Sequence, residues 1–108
     1  MKKERETASK YHQQALEGDL MAMNNMGVCY AQGIGVVENH ATAFEWYMKA
    51  AQRGHLQSRK NVGANYWNGD GVEKDDSWAA FWYEMAGQQG DAQAQFSTGW
   101  FYMTFSKP

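Results

Sequence analysis

Residues 19–54 read DLMAMNNMGVCYAQGIGVVENHATAFEWYMKAAQRG, and residues 55–90 read HLQSRKNVGANYWNGDGVEKDDSWAAFWYEMAGQQG. Set one above the other without a gap, they agree at 13 of 36 positions, far more than chance provides. The same step runs beyond them. Gly18, Gly54 and Gly90 obey it, as do Gly27, Gly63 and Gly99, Tyr11, Tyr47 and Tyr83, and Tyr30, Tyr66 and Tyr102. Self-similarity at a fixed step of this size is the mark of a repeat architecture.

Within each unit the spacing is helical. Ala43, Trp46, Tyr47 and Ala50 fall at i, i+3, i+4 and i+7, one stripe of a helix, and Ala79, Trp82, Tyr83 and Ala86 copy it. The other stretch sets Met26, Gly27 and Tyr30 on one side, then Val62, Gly63 and Tyr66. A mid-helix Gly costs about 1 kcal/mol against Ala. Its return in register implies close approach of a neighbouring helix. Gly18, Gly54 and Gly90 suit the left-handed residue after a helix, and Asn39 and Asp75 or Asp76 suit helix starts. The paired glycines of QGIGVVENH and NGDGVEKDD supply turns, with Val36 and Val72 tucking each loop onto the core.

The spacing therefore predicts six helices, near 4–17, 20–32, 40–53, 56–68, 76–89 and 92–104. They alternate as B, A, B, A, B, A. A lone B helix (1–18) precedes full repeats at 19–54 and 55–90, and a lone A helix (91–108) follows. The fold class is an all-α solenoid, a right-handed superhelix of antiparallel helix pairs in one domain.

Composition agrees. The 108 residues include 11 Gly, 7 Met and 16 aromatics, with one Pro, Pro108. Val, Ile and Thr are too few for a sheet protein. The formal charge is −2 and no segment is strongly basic, which argues against nucleic acid. Cys29 is the one cysteine, so neither an internal disulfide nor a zinc site can be built from it alone. The opening MKKERETASK lacks the apolar stretch of a secretory signal, and no apolar run is long enough for a membrane span. A cytoplasmic location is the expectation.

These residues resemble the Sel-one-like repeat family, relatives of the tetratricopeptide repeat. The family pattern is carried by Ala22, Met26, Gly27, Tyr30, Gly33, Gly35 and Val36, then by Ala43, Trp46, Tyr47, Lys49, Ala50, Ala51 and Gly54. The second unit answers with Ser58, Val62, Gly63, Tyr66, Gly69, Gly71, Val72, Ala79, Trp82, Tyr83, Ala86 and Gly90. Thr98 departs from the pattern, Gly87 replaces an Ala, and no G-x-G-V loop follows Tyr102. The resemblance implies a protein–protein interaction module, an adaptor or scaffold without cofactor. Some bacterial members are immunity proteins against toxins, which is the alternative function. A small-molecule hydrolase is the remaining one, claimed for a few secreted members that carry paired cysteines.

No catalytic constellation stands out. His12, His40 and His55 fall in three different elements, the latter two at helix starts where they read as solvent-facing. Cys29 has no His or Asp in its own turn, and no His/Cys pair has metal-ligand spacing. The expectation is no enzyme, no cofactor and no metal. Asp70, Glu73, Asp75 and Asp76 form an acidic loop, read as helix capping and solvated charge. It lacks the strict alternation of a calcium loop.

By analogy with tetratricopeptide repeats, the A helices line a concave face. The partner-binding candidates there are Asn24, Val28, Lys60, Trp67, Phe96 and Trp100, facing a peptide or helix of another protein. Trp67, Phe96 and Trp100 either anchor that partner or fill the superhelix interior against one another. Lys60 and Asn24 suit a carboxylate or a peptide backbone. Phe101 and Phe105, with Trp100 and Met103, make the last helix apolar all round, which implies cover by a partner or self-association.

Overall fold

In the computed structural model, which describes residues 2–89, five α-helices follow one another: α1 (Lys2–Leu16), α2 (Leu20–Gln32), α3 (His40–Gln52), α4 (Leu56–Asn68) and α5 (Asp76–Gln88). The helix expected over 92–104 lies outside the described residues, and with it Phe96, Trp100 and the self-association surface. Each helix packs on its neighbour in sequence, α1 on α2 through to α4 on α5, as a solenoid requires.

Local chemistry sets the ends. Asp19, Asn39 and Asp75 hold extended backbone, and their side-chain oxygens accept the N–H groups of Ala22, Thr42 and Trp78, each at 3.0 Å. His55 does the same for α4 through Nδ1, which accepts from the Ser58 amide at 3.2 Å. At the close of α3, Gly54 adopts φ +97°. Its N–H reaches the Ala51 carbonyl, while the His55 N–H reaches that of Ala50, both at 3.1 Å. One residue thus ends a helix with its amide and starts the next with its side chain. Asp19 does likewise after α1, where its amide donates to Gln14.

The loop between α4 and α5 docks on the first turn of α3: a Cβ on Gly71 would overlap the backbone carbonyl of His40. Gly35 meets the carbonyl of Glu4 in the same way, 36 residues earlier.

The core is small-residue and aromatic. Ala15, Ala22, Met23, Met26 and Ala50 form one cluster; Ala43, Tyr47, Ala51, Val62 and Trp82 form the next. Trp46 packs on the first of these clusters at its edge. It is half-buried, with His12 edge-on at 5.8 Å and the Lys49 ammonium 4.5 Å over its ring, because α1 offers His12 where α3 carries Met48. Tyr83 is also only half-buried.

Candidate partner-binding face

The two A helices, α2 and α4, are tied to each other by side chains. Asn24 is 8% exposed and Ser58 is fully buried. The Asn24 amide oxygen accepts from the Ser58 hydroxyl at 2.9 Å and from the Asn61 side-chain nitrogen at 2.9 Å. Ser58 Oγ also lies 2.8 Å from Nδ1 of His55, which joins the cap of α4 to the same set. Buried polar groups left without partners are costly, so this connected set holds the repeats in one register.

That network revises two sequence readings. Asn24 sits in the wall of the face as a tie between repeats, with its oxygen already committed. His55 is half-buried rather than solvent-facing, and burial holds its imidazole below the ordinary value.

Val28 packs on the second core cluster. Lys60, Ala64 and Trp67 follow at i, i+4 and i+7, one face of α4, and all three are half-buried. Over the Trp67 ring lies the Lys74 ammonium, 4.7 Å from its centroid. The same ammonium donates to the Trp67 carbonyl at 2.8 Å and pairs with Asp76 at 2.6 Å. A cation so placed is attracted by the ring's negative face and fixes its orientation.

Where α3 meets α4, with Ala31 of α2 at the edge, opens a cleft of about 130 Å³. Ala31, Ala43 and Ala64 give it an apolar floor, and Tyr47, Asn61 and Asn65 contribute polar groups. Asp70 and His40 also line it. Burial, then the nearby Asp70 and Cys29, push the Tyr47 phenol up to about 12, so it remains a neutral hydrogen-bonding group. His40 lies between two carboxylates, Nε2 at 3.0 Å from Glu38 and Nδ1 at 2.7 Å from Asp70. The Glu38 hydrogen bond and then the Asp70 charge hold it above its ordinary value.

Sequence reasoning missed Asn61 and Asn65. The available signal was the change from Cys29 to Asn65 in register, a polar group where the first repeat is apolar. The acidic loop is engaged locally: Asp70 with His40, Asp75 as the cap of α5, Asp76 with Lys74. Cys29 is buried, and burial pushes its thiol up. Among the described residues, no group of three His, Cys, Asp or Glu is placed to hold a metal ion.

The Sel1 repeat family model matches residues 20–55 and 57–91. The chain belongs to the Sel1 repeat family. It resembles c5321, a protective antigen of uropathogenic Escherichia coli displaying an SLR fold, at 33% identity and a TM-score of 0.87 over 91% of this chain and 21% of that one. A Sel1 repeat protein from Oxalobacter formigenes is 34% identical, TM-score 0.77, over 80% of this chain and 35% of that one. Helicobacter pylori cysteine rich protein B shares the fold, at 21% identity and a TM-score of 0.77 over 81% and 65% of the two chains. The chain thus spans between about a fifth and two thirds of the length of these structures. No curated protein matches it. Sel1 repeats are generally protein–protein interaction modules. No helix among the described residues is long and apolar enough to cross a membrane.

Proposed function

We propose that this Sel1 repeat chain is a protein-binding module that receives a peptide or helix of another protein on the face built by α2 and α4. One observation carries the reading: an open cleft walled by α3 and α4 with Ala31 of α2 at its edge, in a pair of A helices already locked in register by Asn24, Ser58 and Asn61. A preformed surface loses little ordering entropy on docking, so modest contacts suffice for useful affinity. Small alanines admit the partner, while Tyr47 and Asn65 fix its backbone. Val28, Lys60 and Trp67 border the contact. The buried, single Cys29 supports a reducing, cytoplasmic setting.

The test is affinity capture from a source lysate, with the chain carrying Trp67→Ala and Lys60→Glu alongside. The double variant is expected to keep its helical circular dichroism and lose the captured protein. Equal capture by both chains contradicts this face.

A further inference from the structure

A second cleft, of about 190 Å³, lies between α1 and α2, away from the face just described. Its apolar wall is Ala8, Met26 and Tyr30, closed by the loop at Gly35 and Val36. The repeat provides a template for what fits there. Thirty-six residues on, Phe44 stands for Ala8, Val62 for Met26 and Tyr66 for Tyr30. In that unit the Phe44 ring meets Tyr66 edge to face, centroids 5.2 Å apart and planes at 85°. The second repeat therefore fills with its own phenyl ring the space that the first leaves open. An apolar cavity of roughly 150 Å³ is enough to admit a benzene ring.

The rim differs from its copy in one chemical direction. Arg5, Ser9 and His12 fall at i, i+4 and i+7 on α1 and line the cleft, where α3 carries Ala41, Glu45 and Met48. Two cationic or proton-binding groups and a hydroxyl replace two apolar groups and an acid. No carboxylate lines the cleft, and Arg5 makes no ion pair among the described residues. His12 is oriented by its edge-on contact with Trp46. Arg5 and Ala8, three apart on α1, lie on one face of the helix and line the same cleft. An aromatic residue that carries its own α-carboxylate would bring a ring to Ala8 and an anion to Arg5 together. All three rim residues are exposed, so a polypeptide can leave the site.

We infer that this cleft takes the C-terminal phenylalanine or tyrosine of a partner polypeptide, its ring edge-on to Tyr30 and its carboxylate on Arg5, with Ser9 and His12 as further donors. The probe is a fluorescein-labelled peptide ending Gly-Ser-Gly-Ser-Phe with a free carboxylate, titrated into the whole chain by fluorescence anisotropy. Saturable binding is expected, weakened about tenfold or more (1.4 kcal/mol per decade) by C-terminal amidation, by a terminal Ala, or by Arg5→Gln. Ala8→Phe, which copies Phe44, is expected to abolish it. Should Ala8→Phe fail to fold, the exposed Arg5→Gln still decides. The Trp67→Ala, Lys60→Glu chain is expected to bind the peptide unchanged, which separates this cleft from the α2–α4 face. Absence of saturable binding at millimolar peptide, or binding undiminished in folded Arg5→Gln, overturns the assignment. Equal affinity for N-acetylphenylalanine overturns the polypeptide as its source.

Discussion

The ring of Tyr47 lies against the backbone of Gly27, so close that a Cβ there would overlap the ring edge. Gly63 stands in the same relation to Tyr83 but with more room, the nearest ring carbon being 3.1 Å from its would-be Cβ. The two glycines occupy one repeat position, yet the overlap is hard at the first and only slight at the second. Tyr47 is buried and Tyr83 half-buried, so only Tyr47 lacks space to retreat.

Substituting each by Ala separates propensity from packing. Ala gains about 1 kcal/mol over Gly in a helix interior, and forced overpacking costs roughly 1–3 kcal/mol. Gly27→Ala should therefore lower the unfolding free energy by up to about 2 kcal/mol, and Gly63→Ala should leave it nearly unchanged. Urea denaturation at constant m-value measures both. Equal effects would mean that the Tyr47 contact does not constrain the stack.

Asn24 gives a second prediction. Its removal takes from Ser58 and Asn61 the acceptor they share in the wall of the face, so Asn24→Ala should cost about 1–3 kcal/mol. Ser58→Ala restores the residue of the first repeat, Ala22, and relieves one orphaned donor. The double variant should accordingly lose less than the sum of the two singles, a coupling that a double-mutant cycle reads directly. Strict additivity would deny the network.

The two helix-start histidines have opposite pH signatures. As the cap of α4, His55 needs a neutral ring to accept the Ser58 amide, and a charged ring would set a positive group at a helix N-terminus. Its folded value is below 6.5, so the unfolded chain takes the proton first as pH falls. The cap's stability is present above 6.5 and lost as pH drops through the folded value. For His40, raised above 6.5 by Glu38 and Asp70, the contribution is complete below 6.5 and lost as pH rises through its folded value. In a His40→Gln background, His55→Asp should remove the loss of stability between about pH 7.5 and 5.5, because Asp caps without needing a neutral ring. Chemical denaturation at both pH values checks it; parallel losses with and without His55→Asp would contradict the capping role.

Much of the architecture was legible because its determinants are local. Helix starts at Asn39 and Asp75 and stops at Gly18 and Gly54 depend on a few adjacent atoms. The alanine and aromatic stripe of α3 and α5 depends only on helical period. The site was less so. Helical register puts Asn24 on the inward side of α2, but whether that position is groove surface or wall depends on the α2–α4 separation. Only the contacts with Ser58 and Asn61 reveal it. The clefts are defined by what is missing, an alanine where a copy carries a larger group, and by side chains converging from separate elements. His55 looked like an exposed terminus because its burial comes from a neighbouring repeat.

The central claim, that the α2–α4 face is where this module holds its partner, is tested most directly by blocking the cleft itself. Ala64→Arg places a long side chain in the cleft, while Glu45→Lys alters an exposed position of α3. With the captured protein purified, isothermal titration should show affinity reduced at least tenfold (1.4 kcal/mol) by Ala64→Arg and unchanged by Glu45→Lys. Full affinity in a folded Ala64→Arg chain would contradict the account.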